Sequence, residues 1–429
     1  MSAFEAVIST VAAVATVIGL PVAFLALRRT PNGKYSPKRT AATFRQVRRE
    51  LKSVYDRGRL ESVANKAQRK YLLVEDVPLL VKPGWIAEAP LRLDAVRPDW
   101  KTPEKAKQDA DFEPALEFAS RCLAGSGQLG NTYHKVIKLL ERPDERLFFN
   151  GSSFRLLDVA VGQESESSEK FPVTLTFTAG WYFDALDTTD VLGYETAALG
   201  LSPRRLDHWR KMRGPYRRWL GDPFNLQKRC AIPGVNTLTI RLGEPAPTFI
   251  LHERNLQNAT SQGVTHVAPA GEFQPRDQST LASIVDLDLW NNITREYAEE
   301  LLGLSEARDQ PPGLRLNARL DEVASALDDA RARRDIDVWY LGVGLDPLTW
   351  KPEILTVAVF KPEVFDTIFR DIVTENDEGK LMFPDAGSTR MTPFTEDNVK
   401  PSFRDRLLPA GAACLELAWR YRGEMGIRD

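Results

Sequence analysis

The chain has 429 residues and a formal net charge of −2. Its length predicts more than one average domain, and its overall charge identifies no class of partner. Three widely spaced cysteines and only four histidines argue against a disulfide framework, a zinc site and a histidine-rich metal centre, so a reducing compartment fits best.

An apolar run opens the chain. Residues 6–27 form 22 uncharged positions, enough for a helix to cross the roughly 30 Å hydrocarbon core of a bilayer. A secretory signal peptide is the competing interpretation, but it needs basic residues before the run, where this chain has Glu5. Residues 28–70 carry 14 basic and three acidic residues, a net +11. The positive-inside rule therefore predicts a single-pass protein of the cell membrane, with the N-terminus outside and the C-terminal body in the cytoplasm.

Residues 28–147 are predicted to form a basic juxtamembrane segment followed by helical and extended linker. Residues 38–70 are compatible with a helix lying on anionic headgroups, at about 1 kcal/mol per basic residue, which makes membrane lipids an expected partner. A solvated spacer helix is the alternative. Residues 71–85, broken by Pro78 and Pro83, predict extended chain, and residues 109–140 predict helix.

Short runs rich in β-branched and apolar residues predict strands at residues 153–161, 172–178, 236–241, 248–252, 335–343 and 353–360. Such strands on both sides of a strand–loop–helix unit predict a mixed sheet with helices on its faces. The expected fold class is therefore α/β, with one domain over residues 148–422 that ends in a helix.

The strand–loop–helix unit lies at residues 265–304. Apolar residues recur there at steps of three and four, which predicts a helix with one buried face, and glycine follows where a left-handed cap would end it. These positions are Trp290, Ile293, Tyr297, Leu301 and Leu304, with Gly303 as the cap.

Three glutamates follow Arg295 on this helix: Glu296, Glu299 and Glu300. Like charges three and four residues apart destabilise a helix by about 0.2–0.5 kcal/mol per pair. A divalent cation such as Mg²⁺ or Mn²⁺ relieves that repulsion, because hard ions take carboxylate oxygens. The alternative is an ordinary amphipathic helix with an exposed acidic face.

This arrangement resembles the Nudix box, in which a glycine and a glutamate precede Arg-Glu-apolar-x-Glu-Glu-x-Gly. The second half matches at residues 295–302, with glycine one place late at Gly303. Gly271 lies 24 residues before Arg295, which implies an insertion of about ten residues in the loop. Leu287 stands where the family has its first glutamate.

The resemblance implies an α/β/α sandwich that cleaves nucleoside diphosphate derivatives with Mg²⁺ or Mn²⁺. Carried over by position, Glu296, Glu299 and Glu300 would bind the metal with help from the Gly271 carbonyl. Arg295 would orient the carboxylates, and Glu299, Glu300 and Arg295 would be the catalytic residues. Fold alone does not fix activity, so retained hydrolysis is a separate expectation, with Glu353 and Asp385 as unplaced candidates for the general base.

A basic stretch at residues 202–225 mixes arginines with aromatic residues. Arginine forks suit phosphates and aromatic rings suit base stacking, so Arg210, Arg213 and Arg217 are candidate nucleotide-binding residues. The alternative is a basic helix whose aromatic residues pack inward while its charges face water.

Residues 222–241, 266–275 and 290–303, together with the apolar run, are similar to the CD-NTase-associated transmembrane Nudix effectors of CBASS antiphage systems, which carry a SMODS-associated Nudix domain. The resemblance implies a membrane effector that senses a nucleotide or cyclic oligonucleotide, and a homo-oligomer is an expected assembly. A nucleic-acid arm in the basic segment is an alternative that the adjacent membrane span disfavours. An anchored pyrophosphohydrolase and a catalytically inactive, membrane-tethered regulator remain as alternatives.

Overall fold

The computed structural model describes residues 44–49, 51, 72–109, 111–122, 132–143, 145, 148–162, 171–200, 214–254, 265–278, 280–304, 318–373, 379–382, 391–404 and 406–428. No helix within these ranges is long and apolar enough to cross a membrane. The predicted span at residues 6–27, most of the basic segment at 38–70 and the candidate base Asp385 lie outside the described residues.

The strands, in chain order, are β1 (Leu72–Val74), β2 (Val77–Val81), β3 (Ile86–Arg92), β4 (Val96–Trp100), β5 (Ser152–Val161), β6 (Val173–Trp181), β7 (Gly234–Arg241), β8 (Thr248–Phe249), β9 (Leu251–Arg254), β10 (Thr265–Val267), β11 (Ala270–Glu272), β12 (Ile336–Leu345), β13 (Pro352–Phe360), β14 (Gly379–Met382) and β15 (Thr392–Pro393).

The helices are α1 (Pro103–Asp109), α2 (Glu113–Cys122), α3 (Tyr133–Glu141), α4 (Tyr182–Ala185), α5 (Val191–Gly200), α6 (Pro215–Leu220), α7 (Leu289–Leu302), α8 (Ala318–Ala332), α9 (Pro362–Ile368), α10 (Pro401–Arg404) and α11 (Pro409–Arg420). A π-helical segment, Leu186–Asp190, joins α4 to α5. The predicted strands are present, but the run at residues 248–252 is divided between β8 and β9. The helix predicted at residues 109–140 corresponds to α2 and α3, and residues 123–131 lie outside the described residues.

The protein is a mixed α/β structure built on a large curled sheet of nine strands. The order is β1-β2-β12-β13-β7-β8-β15, with β3 also paired to β12 and β11 also paired to β7. Strands β13 and β7 run parallel, whereas β12 pairs antiparallel with β13. Two smaller sheets have the orders β10-β9-β14 and β4-β6-β5.

Strand β13 separates two apolar cores. Its side chains alternate between them, as the two-residue period of a strand requires. Helices α7 and α8 pack on one face of the large sheet and α11 on the other, so β13 is buried on both faces. The first core takes Ile354, Ala358 and Phe360, and the second takes Leu355, Val357 and Val359.

The boundary predicted at residue 148 does not separate one sheet from another. Strands β1, β2 and β3, which fall in the predicted linker, belong to the nine-stranded sheet. Strand β4 pairs in parallel with β6 across the same boundary. The extended chain predicted at residues 71–85 is therefore part of the central sheet.

Residues 44–49 and 51 are helical and pack on the protein. Phe44, Val47 and Leu51 are buried in the first core. Arg48 donates to both carboxylate oxygens of Glu141, at 2.9 and 3.1 Å, and to the Tyr133 hydroxyl at 3.0 Å. The described part of the basic segment thus has its apolar side chains covered by protein.

Candidate functional site

Helix α7, called the box helix below because it carries Glu296, Glu299 and Glu300, lies where the periodicity predicts a helix. Asp288 caps its N-terminus by accepting a hydrogen bond from the Asn291 amide at 2.9 Å. Gly303 ends it in the left-handed conformation, with φ 63°, which glycine adopts at little steric cost. The predicted cap is confirmed.

The apolar face of α7 is buried as predicted. Trp290, Ile293, Tyr297 and Leu301 all lie in the first core. The Tyr297 hydroxyl is hydrogen-bonded to Thr239 Oγ1 on β7 at 2.7 Å, and burial raises the pKa of Tyr297 well above its usual range. Helix α7 is therefore fixed to the centre of the sheet.

Two of the three box carboxylates are buried rather than solvated. Glu296 is 5% exposed and Glu300 2%, while Glu299 is half-buried. The alternative of an exposed acidic face is therefore wrong for Glu296 and Glu300. Their positions place them against the strand that carries the box glycine.

Gly271 lies directly beneath the Glu296 carboxylate. A Cβ added to Gly271 would stand 2.2 Å from the Glu296 carboxyl carbon and from Oε2, a separation no pair of non-bonded atoms tolerates. With a side chain at this position of β11, the Glu296 carboxylate would have to move from where it lies. Gly271 and the Glu296 carboxylate are thus in contact, although an inserted loop separates β11 from α7 in the chain.

Arg295 connects α7 to the loop after β11. Its guanidinium donates to Asn292 Oδ1 at 2.6 Å and to the Gln274 carbonyl at 3.2 Å. Its Nη2 also lies 3.5 Å from Glu296 Oε1. These contacts suit a residue that orients Glu296, because the arginine fork is rigid and planar.

Glu300 is held by two strands. Its Oε1 accepts a hydrogen bond from the Ala270 amide at 3.1 Å, and its Oε2 lies 3.5 Å from His252 Nδ1 on β9. Glu296 and Glu300 therefore both reach β11, one turn of helix apart. Within the described residues, no three His, Cys, Asp or Glu side chains are placed together to hold a metal ion.

A second polar group lies along β7, next to the box strand, and the sequence did not identify it. Asn236 stands opposite Ala270 in the register of β7 and β11. Its side-chain amide donates to Glu353 Oε2 at 2.8 Å, and its Oδ1 lies 2.7 Å from His266 Nε2. Glu353, named above as an unplaced base candidate, therefore connects to the box strand through Asn236.

A half-buried charge pair continues this group. Lys351 donates to Glu272 Oε1, on the box strand, at 2.8 Å. Burial opposes the charge on Lys351, but Glu272 and Glu353 outweigh it and raise the pKa of Lys351 above its usual range. Burial also raises the pKa of the nearby Asp190 carboxyl to about 6, against the opposing effect of Lys351. Asp190, Glu272 and Lys351 are too far apart in the chain for a local sequence pattern to predict that they lie together.

Of the three candidate nucleotide-binding arginines, Arg210 and Arg213 lie outside the described residues, and Arg217 is buried at 5% exposure. Its guanidinium donates to the carbonyls of Pro347 and Leu348 and to Thr196 Oγ1. It also lies 4.5 Å from the centre of the Trp350 ring. The alternative interpretation, in which the charges of this stretch face water, is therefore wrong for Arg217.

Contacts of Glu195 with the start of α6 account for the burial of Arg217. The Glu195 carboxylate, itself buried, accepts hydrogen bonds from the amides of Tyr216 and Arg217 at 2.7 and 3.2 Å. It thereby holds the start of α6 inside the protein. Burial raises the pKa of Glu195, and the positive charge of Arg217 partly offsets that rise.

No known protein-family model matches this chain, and neither does any curated protein.

Proposed function

We propose that this chain is a membrane-anchored effector whose divergent Nudix-like domain binds a nucleotide or cyclic oligonucleotide, as in the CBASS effectors named above. The observation that carries the proposal is the docking of Glu296 over Gly271 and of Glu300 on the Ala270 amide. These contacts join the box helix to the box strand across an inserted loop. A helix with a merely solvated acidic face would make neither contact.

The arrangement of layers supports the same assignment. Helices α7 and α8 lie on one face of the mixed sheet and α11 on the other, which suits an α/β/α sandwich. The box strand β11 pairs with β7, and β7 pairs with β13 at the centre of the sheet. The candidate site therefore rests on rigid elements, as binding sites require.

The donor set fits Mg²⁺ or Mn²⁺ in its chemistry, since carboxylate and carbonyl oxygens are the ligands that hard cations prefer. By resemblance to the Nudix box, Glu296, Glu299, Glu300 and the Gly271 carbonyl are the proposed ligands, whereas the described residues do not bring three such side chains together around one point. When bound, such an ion polarises a phosphoryl oxygen. Arg295 holds Glu296 from the side, and the Ala270 amide holds Glu300.

Ligand sensing is favoured over hydrolysis because two of the box carboxylates are already engaged by protein groups. Glu300 accepts from the backbone of β11, and Arg295 lies beside Glu296. Metal-dependent pyrophosphate cleavage is the second candidate. The contact between Asn236 and Glu353 supports this second candidate. Through it Glu353, a candidate general base, belongs to the polar group next to strand β11.

Mg²⁺ or Mn²⁺ is expected to raise the melting temperature of the full-length chain. An ion that binds only the native state adds about 2.7 kcal/mol at a hundredfold excess over its Kd. The double change Glu299→Gln and Glu300→Gln should remove this shift. Glutamine keeps an oxygen for the Ala270 amide but carries no charge for the ion. Thermal unfolding with and without metal, against a chelator baseline, measures the effect.

The matched control removes two exposed acids from α8, with Glu322→Gln and Asp329→Asn, and should leave the metal shift intact. If neither metal moves the melting temperature of the unaltered chain, the box carboxylates serve only to join helix and strand. The inactive, membrane-tethered regulator would then be the better assignment.

Deleting residues 6–27 is expected to abolish protection against phage while leaving nucleotide binding unchanged. The apolar run is the predicted anchor, and the site described above contains none of it. Plaque counts measure protection. Light scattering of the purified chain, with cyclic oligonucleotides added, measures binding-induced homo-oligomerisation.

The control for the deletion replaces the run with an unrelated apolar segment of equal length, which should restore membrane attachment. Full protection by the truncated chain would contradict the effector proposal and favour a soluble enzymatic mechanism.

A further inference from the structure

A cleft of about 280 Å³ opens away from the box carboxylates, where β3, α7, α8 and β12 come together. Arg92, Arg331 and Arg334 line it, together with Trp290 and the acidic residues Asp94 and Asp328. None of the box carboxylates is among the lining residues. Three guanidinium groups and two carboxylates therefore line the cleft, and Asp337, just outside it, adds a third carboxylate.

Two of the arginines are held in place by one acid outside the cleft. Asp337 on β12 pairs with Arg92, and its Oδ1 lies 3.8 Å from Arg334 Nη1. The Arg92 guanidinium also lies 4.6 Å from the centre of the Trp339 ring. A guanidinium fixed this way loses little freedom when it binds an anion, which favours binding.

Arg331 supplies the third cation. It lies 5.1 Å from the centre of the Trp290 ring, and the indole Nε1 of Trp290 donates to Asp328 Oδ1 at 2.6 Å. Within the described part of the chain, Arg331 forms no ion pair, so its charge is not neutralised by a bonded carboxylate there. The Trp290 ring orients it without consuming its hydrogen-bond donors.

Arg334 occupies a backbone position that normally favours glycine. Its φ is 60°, and it follows α8 in a Schellman-type ending. In that ending the Asp335 amide donates to the Ala330 carbonyl at 2.9 Å and the Arg334 amide to the Arg331 carbonyl at 3.0 Å. A side chain in the left-handed region is strained, and the Arg334 side chain lines the cleft from this position.

We propose that this cleft binds the phosphate group of a small phosphorylated ligand through Arg331 and Arg334. Arginine forks match phosphate oxygens. The volume falls just below the roughly 300–1,000 Å³ of drug-sized pockets, which suits a small phosphorylated molecule or the phosphate end of a larger one. The site goes beyond the proposed function, because it uses none of the box residues and needs no metal.

The test measures binding of inorganic pyrophosphate to the full-length chain by calorimetry in metal-free buffer with chelator. The variant Arg334→Gly removes the guanidinium and relieves the backbone strain. It should weaken pyrophosphate binding about tenfold or more, as expected for one charge-assisted hydrogen bond, while the melting temperature stays equal or rises. Arg331→Gln should weaken binding to a similar extent.

Arg142→Gly is the matched control. Arg142 also ends a helix in the left-handed conformation, with φ 49°, and it does not line the cleft, so binding should be unchanged. Equal loss of affinity in Arg142→Gly and Arg334→Gly would overturn the proposal. So would an unaltered chain that does not bind pyrophosphate at millimolar concentration.

ADP and glycerol 3-phosphate distinguish two sources of the phosphate group. Tighter binding of ADP, lost in Arg334→Gly, supports the site and identifies a soluble nucleotide. Tighter binding of glycerol 3-phosphate, lost in the same variant, supports the site and identifies a lipid headgroup. The two buffers separate failure of this site from failure of the box, because the test of the box measures a melting-temperature shift that requires Mg²⁺ or Mn²⁺, whereas this binding is measured with chelator present.

Discussion

Replacing Arg217 by alanine is expected to lower the free energy of unfolding by about 3–5 kcal/mol, the range for removing one partner from a buried charged network. The change removes donors from the carbonyls of Pro347 and Leu348 and from Thr196 Oγ1. It also leaves the buried Glu195 carboxylate without the cation that offsets its burial. Chemical denaturation of the purified chain measures the loss.

Arg218→Ala is the matched control, because Arg218 follows Arg217 on the same helix but is exposed. Its expected cost is below about 1 kcal/mol, as for exposed charges generally. If Arg217→Ala keeps full stability but loses nucleotide binding, the original interpretation of this arginine as a ligand contact would be restored. A large loss of stability would instead show that Arg217 holds α6 and the turn at residues 346–350 together.

The burial of Arg217 could not be predicted from the sequence. Charge and aromatic content at residues 202–225 describe what a segment can contact, but not which side of it faces the interior. That side is decided by Glu195 and by the carbonyls of the 346–350 turn, at sequence separations of about 20 and 130 residues. Contacts between residues this far apart leave no periodic pattern in the local sequence.

Elements with a strong local period were predictable. The buried run at residues 353–360 reads as a strand, and the steps of three and four from Trp290 to Leu301 read as a helix with Gly303 as its cap. The structure confirms both. These patterns reflect burial on two faces for the strand and on one for the helix.

The place of strands β1 to β3 was not predictable, because β12, the partner of β2 and β3, lies more than 200 residues away in the chain, and β1 joins the sheet only through β2. A strand that joins a sheet at this distance has the same composition as an extended linker. The contact of Gly271 with Glu296 was implied only by the Nudix resemblance. The polar group around Asn236 had no signal at all, because its members lie on three separate strands.

Gly271→Ala is expected to lower the free energy of unfolding by about 1–3 kcal/mol, the range for overpacking a filled interior, and to abolish the melting-temperature shift with Mg²⁺ or Mn²⁺. The new methyl group would overlap the Glu296 carboxylate, 2.2 Å from its carbon. Because Glu296 is only 5% exposed and lies beside Arg295, its carboxylate cannot move aside into water without leaving the box. Thermal unfolding with and without metal measures both effects.

Gly423→Ala is the control for Gly271→Ala, since a Cβ at Gly423 meets no atom within 4 Å, and it should change neither quantity. A double-mutant cycle then isolates the contact itself. In a Glu296→Ala background the methyl group at residue 271 no longer meets a carboxylate, so the stability cost of Gly271→Ala should fall by about 0.5–3 kcal/mol, the usual size of coupling between touching residues. If the cost is the same in both backgrounds, Gly271 is required for the backbone of β11 rather than for Glu296. The docking of the box helix on that strand would then no longer support a Nudix-type site.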